Sequence, residues 1–322
     1  MTSRKFRFGV VAPAIGSAAA LRELARGAED LGYSSLVFID HLGPQPAPLV
    51  AAMAAASATR SLRVGTQVLA NPLRNPAMLA KEITTLDLLS DGRFEAGLGA
   101  GWPSDSPVGR ADADQTGIDA GSSGRRVDDL IDTVRLIRAF QGSTGRFDFT
   151  GRRLVLRNVA PFPAQGPRRR TPIMIGGAGP RILRFAAREA DIVNLAPRPP
   201  VRGRTAAGSS AFGMSIDQVS ELLKSAAGDR YADLELCVLS TNRAAQMPAV
   251  TEHPGEHLAR LAQDLGTSAA VAAAMPSTLI GSVAELTERV QEHRERYDIS
   301  YRTIAAAAMR DFAPVVASLA GR

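Results

Sequence analysis

Four short stretches carry residue types that could do chemistry. Asp40-His41 closes the apolar run Ser35–Ile39. An imidazole at a strand end can serve as acid, base or hydrogen-bond donor to a bound group. The plainer reading is that Asp40 caps the next turn and His41 is an ordinary loop residue. Gln67-Val68-Leu69 closes the run Arg63–Ala70, and Asn71-Pro72 follows as a turn signal. It offers either a side-chain amide to a ligand or a buried strand with an edge amide. Gly97–Trp102 reads GLGAGW. Glycines 97, 99 and 101 either let backbone approach a flat ligand or mark a barrel corner. They are not spaced as a dinucleotide fingerprint, and no helix opens directly behind them. Gly176-Gly177-Ala178-Gly179-Pro180 runs from a strand into a helix beginning with proline. Backbone N–H groups at a helix start make an anion site; the alternative is a tight turn.

The chain has no P-loop lysine, no H-E-x-x-H, no clustered carboxylates and no G-x-S-x-G. Nucleotide hydrolysis, hydrolase chemistry and a metal site therefore find no support. Glycines, one histidine and an anion cradle suit a phosphorylated planar cofactor that brings its own chemistry.

Those four stretches must be positioned by a repeating frame. Strands are predicted at Phe6–Ala12, Ser35–Ile39, Arg63–Ala70, Phe94–Gly101, Pro172–Gly177, 191–196, Leu234–Leu239 and Tyr301–Ala307. Amphipathic helices intervene, among them Ala18–Leu31, Pro76–Leu89, Gly124–Phe140, Glu256–Leu265 and Val283–Tyr297. Near-continuous apolar strands alternating with helices predict an α/β fold, a (β/α)8 TIM barrel. Each of the four stretches then stands at a strand's C-terminal end, where barrels place their chemistry. Residues 1–322 are expected to form a single domain, with an insertion at about 102–170 after strand four. That insertion comprises the polar stretch 102–123, which shows no period, one helix, and a β-hairpin over Phe147–Val159 turning at Thr150-Gly151. A low-complexity loop is expected at 197–213.

Composition narrows the rest. The 322 residues exceed the roughly 250 of a plain barrel, and 45% are hydrophobic. The net charge of +6 comes almost entirely from arginine, is spread along the chain, and is opposed by 32 acidic residues. Without a basic stripe interleaved with aromatics, nucleic-acid binding is not expected. The arginine clusters 168–170 and 198–204 either meet an anionic cofactor tail or acidic substrate, or are solvated loop charge. Cys237 is alone, so no internal disulfide or cysteine metal cluster is possible. No signal-peptide apolar region and no run of about 18 apolar residues exist. A cytoplasmic protein without membrane partners is expected.

Several longer segments resemble the bacterial-luciferase-like superfamily, in its coenzyme F420-dependent oxidoreductase branch. They are ARGAEDLGYSSLVFIDHL (25–42), RVGTQVLANPLRNPAMLAKEITTLDLLSDGRFEAGLGAGW (63–102), RVDDLIDTVRLIRAF (126–140), FTGRRLVLRNVAPFP (149–163), PIMIGGAGPRILRFAAREADIV (172–193) and IGSVAELTERVQEHRERYDISY (280–301). The resemblance implies a TIM barrel with an insertion and a ring held at the strand C-terminal ends. It implies a non-prolyl cis peptide at Gln67-Val68 behind that ring, and phosphate binding at Gly176–Gly179. His41 would lie near the reactive carbon as the catalytic residue. Asp40, His41, Gln67, Val68, Gly99, Gly101, Gly176, Gly177, Ala178 and Gly179 would bind the cofactor, and Trp102 would wall the substrate pocket.

The pattern departs from the sugar-phosphate dehydrogenases of that branch. Trp102 stands where they place a proton-donating Glu, the Trp beyond their His is replaced by Leu42–Pro48, and their substrate-phosphate lysines have no counterparts. The expectation is an F420-dependent oxidoreductase transferring hydride between the deazaflavin C5 and an organic substrate, reducing an activated C=C or C=N bond in a small molecule or modified peptide. The alternatives are an FMNH2-dependent monooxygenase using FMN and a non-catalytic barrel binding protein. The resemblance also implies a homodimer.

Overall fold

The computed structural model describes residues 4–103, 105–162, 170–195, 214–241 and 247–322. The expected 197–213 loop, the 198–204 arginine cluster, Arg168 and Arg169 lie outside them. In chain order the strands are β1 (Arg7–Val11), β2 (Ser35–Phe38), β3 (Arg63–Thr66), β4 (Leu69–Ala70), β5 (Phe94–Gly99), β6 (Phe147–Thr150), β7 (Val155–Val159), β8 (Ile173–Gly177), β9 (Ile192–Leu195), β10 (Glu235–Ser240), β11 (Ala249–Val250), β12 (Ile280–Gly281) and β13 (Ile299–Ala305). The helices are α1 (Ala18–Asp30), α2 (Pro48–Ala58), α3 (Pro76–Leu89), α4 (Pro107–Thr116), α5 (Ser123–Gly142), α6 (Pro180–Glu189), α7 (Ile216–Ala227), α8 (Gly255–Leu265), α9 (Ala269–Ala273), α10 (Val283–Tyr297) and α11 (Ala313–Leu319). The main sheet runs β3-β2-β1-β13-β10-β9-β8-β5-β4, and a further β3–β5 pairing closes it. With β3 and β4 counted as one interrupted strand, this is the eight-stranded TIM-like barrel that the alternating pattern predicts. The chain forms two compact units, one of Ala14–Arg22 with Val37–Gly176, the other of Met1–Pro13, Glu23–Leu36 and Gly177–Arg322.

In the first unit, the expected continuous strand 63–70 is broken. Val64 pairs with Phe94 and Gly65 with Glu95, but Leu69 pairs with Leu98 and Ala70 with Gly99. Four steps along one strand are thus matched by three on the other, which is a bulge. The peptide Gln67-Val68 within it is cis. The strand then turns at Asn71–Leu73 into α3, whose start is capped by Asn75: its Oδ1 accepts from the N–H groups of Ala77 (3.0 Å) and Met78 (3.2 Å). Helix α5 packs against α3 and is the crossover between β5 and β8. What exceeds the plain βα period within 102–170 is therefore α4 and the β6–β7 hairpin. Buried Asp132 of α5 holds the hairpin turn, accepting from the N–H groups of Arg152 (3.0 Å), Arg153 (2.7 Å) and Leu154 (3.2 Å).

The stretch 102–123 is not devoid of structure. Ser106 caps α4 by accepting from Gly109 N at 3.0 Å, Pro107 opens it, and Gly117, at φ 69°, ends it in the left-handed conformation. Its apolar period is weak because most of its residues face solvent.

In the second unit, β13 lies between β1 and β10, with Tyr301 opposite both Arg7 and Cys237. The last strand starts at Ile299, two residues before the expected Tyr301, because Asp298 ends α10 in a left-handed cap. The short parallel pair β11–β12 and helix α9 were not expected. Around them Met247, Ala249, Leu261, Leu265, Met275 and Ile280 form a satellite core. Arg302 of β13 is fully buried. It donates to Pro276 O at 2.8 Å and meets His293 Nδ1 of α10 at 2.6 Å. Burial first, then the neighbouring Arg302 charge, pushes the His293 pKa down to about 3, so its imidazole is neutral and accepts from the guanidinium. Burial likewise lowers the Arg302 pKa, to about 10.

Candidate active site

The loop after β2 is fixed by an ion pair between a buried carboxylate and a half-buried guanidinium. Asp40 is 6% exposed. Its Oδ2 accepts from Ala70 N at 2.8 Å and its Oδ1 from Arg74 Nη2 at 2.8 Å, while Arg74 Nη1 makes a second, shorter contact to Oδ2. The carboxylate thus meets a planar fork and a backbone N–H together. Two residues before Asp40, the backbone already ties β2 to the bulge between β3 and β4: Gln67 N donates to Phe38 O at 2.9 Å. Asp40 is therefore the tie between the end of β2 and the end of β4, and it sets where His41 begins. Arg74 was not singled out from the sequence, although it lies in the same turn as Asn71.

His41 is half-buried. Its Nδ1 lies 3.4 Å from Asp112 Oδ1 on α4, and its ring centroid is 6.5 Å from that of Trp102, tilted by 40°. Asp112 was missed in the sequence because it sits inside the stretch without period. The signals that would have found its helix are the Ser106-Pro107 start and the Gly117 stop.

The glycines of β5 answer to protein. A Cβ on Gly97 would lie 1.8 Å from Thr66 O, and one on Gly99 2.6 Å from Val68 Cγ2. Both face the bulge at Thr66–Val68, so the bare strand is what lets the bulge form. Gly101 has φ 76° and backs onto Pro72. Next to the bulge, Gln67 and Asn71 are 5% and 4% exposed. Asn71 Oδ1 has no hydrogen-bond partner among the described residues, although a buried amide oxygen ordinarily has one. Asp40, His41, Gln67, Val68, Gly99, Gly101 and Trp102 thus all fall in the first unit, at or just beyond the C-terminal ends of β2, β3–β4 and β5.

The remaining predicted residues stand at the β8–α6 junction. Gly179 is the N-cap of α6 and supplies no side chain to its first turn, which Pro180 opens. The amides there have no side-chain cap, as an anion site requires. Gly177 gives its space to α6: a Cβ would lie 2.6 Å from Ile182 Cγ2. Among the described residues no grouping of His, Cys, Asp and Glu is arranged to hold a metal ion, and no helix is long and apolar enough to cross a membrane.

The luciferase-like monooxygenase profile fits residues 4–211, and the chain belongs to that family. It is 29% identical over 179 residues to the F420-dependent glucose-6-phosphate dehydrogenase of Kineococcus radiotolerans, covering 53% of this chain and 50% of that one. It is 34% identical over 117 residues to the 4-hydroxyprotoasukamycin monooxygenase of Streptomyces nodosus subsp. asukaensis, covering 35% of this chain and 30% of that one. The chain thus spans about half the length, or less, of these curated relatives. Among solved structures, an F420-dependent secondary alcohol dehydrogenase carrying an F420-acetone adduct superposes with a TM-score of 0.73 at 19% identity, over 98% of both chains. A monooxygenase from Streptomyces bottropensis gives 0.70 at 19% identity, over 97% of this chain and 99% of that one. At such identity these two structures speak for the fold alone.

Proposed function

We propose that this protein is an F420-dependent oxidoreductase that moves hydride between the deazaflavin C5 and an organic substrate, reducing an activated C=C or C=N bond in a small molecule or modified peptide. The observation that carries the reading is the strand-end cluster of the first unit. There His41, held in place by the Asp40–Arg74 tie, stands beside a carboxylate and Trp102, and the buried Asn71 amide keeps an unused acceptor. Such an acceptor fits the N–H edge of a flavin-like ring. The likeness to the F420-dependent glucose-6-phosphate dehydrogenase supports the choice of cofactor. When bound, the deazaflavin supplies a two-electron hydride carrier.

The chain's own residues then have separate tasks. Asp40 and Arg74 fix the loop that bears His41. Asn71 and the Gln67-Val68 bulge would hold the ring. The uncapped start of α6 after Gly176–Gly179 would hold an anionic group. His41 would take or give the proton that accompanies substrate reduction, and Trp102 would keep water from the reacting face.

A second reading is an FMNH2-dependent monooxygenase, favoured by the 34% identity to a named monooxygenase. Titrating the cofactor-free protein with F420 and with FMN separates the two. Micromolar F420 affinity is expected, weakened about tenfold or more by Gly177→Val, which must displace Ile182. Micromolar FMN affinity without F420 binding, together with oxygen consumption on supplying reduced FMN, would overturn the first reading.

A further inference from the structure

We propose that Asp112 is the positioning residue for His41, fixing which imidazole nitrogen carries the proton, and that helix α4 exists in this chain to deliver it. The inference rests on the reading of His41 as the group that handles the proton.

An ionised carboxylate can only accept. The approach of Asp112 Oδ1 to His41 Nδ1 at 3.4 Å is therefore favourable only with the proton on Nδ1. In the neutral ring Nε2 is then left as the acceptor, which is how a second carboxylate sets the tautomer of a working histidine. The distance is long for a hydrogen bond, as such contacts commonly are before ligands bind. Asp112 is the more buried of the two side chains, at 15% against 31% exposed, so the carboxylate is the fixed partner.

The helix is built to hold that carboxylate still. Ser106 caps it and also donates to Pro103 O at 2.7 Å. A Cβ on Gly109 would lie 2.1 Å from the same Pro103 O, so the start of α4 is seated against the residue that follows Trp102. Thr116 Oγ1 donates back to Asp112 O at 2.6 Å. Trp102, Pro103 and α4 consequently form one piece, which presents an aromatic ring and a carboxylate to the same imidazole. A helix that only spanned from β5 to α5 would need neither the Gly109 contact nor a carboxylate at 112.

Long-range proton–nitrogen NMR on the cofactor-free full chain, labelled at histidine and recorded at pH 8, reads the tautomer directly. His41→Gln assigns the resonance among the four histidines. In the wild type, Nδ1 of His41 is expected to be the protonated nitrogen. Asp112→Ala and Asp112→Leu, the latter branched at Cγ like aspartate but apolar, should move the proton toward Nε2, and Asp112→Glu should restore it. Asp114→Ala, an exposed position on the same helix, should leave the spectrum of His41 unchanged. In F420-dependent turnover, Asp112→Ala should lower kcat roughly ten- to a hundredfold with the KM for F420 within about twofold. His41 nitrogen shifts identical in wild type and both apolar variants, with circular dichroism showing them folded, would overturn the proposal. The NMR readout needs no cofactor, so failure of F420 to bind would sink the cofactor assignment and leave the Asp112 test standing.

Discussion

Two buried charges, Asp40 at the end of β2 and Arg302 within β13, are handled in opposite ways. Asp40 is met by a guanidinium fork and a backbone N–H, so its charge is neutralised and both oxygens are used. Among the described residues, the hydrogen-bond partners of Arg302 are neutral: Pro276 O, the His293 imidazole and, at 3.5 Å, Ser240 Oγ. Its Nε has no partner among the described residues. A buried charge without an opposite one is costly unless its hydrogen bonds are made. The first arrangement therefore holds a loop in one place, whereas the second is a load carried by the β13–α10 packing. The difference predicts different answers to substitution, to added volume and to acid.

The largest effect is expected at Asp40. Asp40→Ala leaves the half-buried Arg74 guanidinium and the Ala70 N–H without their acceptor, and urea unfolding should show a loss of about 3–4 kcal/mol, the lower part of the range for a pair deprived of one partner. Arg302→Met, which removes the charge while keeping an unbranched chain, should cost less than about 2 kcal/mol because the desolvation of the guanidinium is relieved. Equal losses for the two variants would break the comparison. Next in size is Gly97→Ala. Its methyl would meet a backbone carbonyl that cannot rotate away. A loss of about 3 kcal/mol, at the upper end for overpacking, should come with weaker cofactor binding as the bulge shifts.

How far these features were legible follows from their range along the chain. The barrel was readable because each βα unit repeats a local apolar period and ends in local stop signals such as Asp91-Gly92 after α3. The interruption between Thr66 and Leu69 was expected only through resemblance. A bulge depends on what faces it, and here that is Gly97 and Gly99, about thirty residues away. Asp40 was read as a site residue, but its partner Arg74 was not, because the pairing closes only once β2 and β4 are neighbours. Asp112 was lost because α4 presents little apolar face, although its cap signals were present. Arg302 and His293 gave no signal at all: an arginine in a strand and a histidine in a charged helix read as surface until packing buries them.

Acid sharpens the contrast at the Arg302 end. The folded His293 pKa is lowered to about 3, mainly by burial, against about 6.5 in an unfolded chain. Its contribution to stability is thus fully present above about pH 6.5. It is lost as pH falls toward 3, because the unfolded chain takes up the proton first, at up to about 1.4 kcal/mol per pH unit. His293→Asn keeps an acceptor for Arg302 and removes the titration. Its unfolding free energy should fall less between pH 6.5 and pH 4 than that of the wild type, and parallel acid limbs would show that His293 is not held neutral.

The smallest effect tests whether the tightness of the first unit is confined to its site-bearing strands. Gly142 ends α5, the helix that crosses from β5 to β8, and a Cβ there would meet nothing within 4 Å. With a helical residue and open space, the substitution acts on the unfolded chain alone by reducing its freedom. Gly142→Ala should therefore raise the unfolding free energy by about 0.5 kcal/mol. The same one-methyl change thus has opposite signs at Gly97 and Gly142, two glycines of the same unit. The sign is set by whether a neighbour's backbone already occupies the space. A loss at Gly142 comparable to that at Gly97 would mean that the crossover helix is as tightly fitted as the bulge, and that close fit is a property of the unit rather than of the strands that bear His41 and the Gln67-Val68 turn.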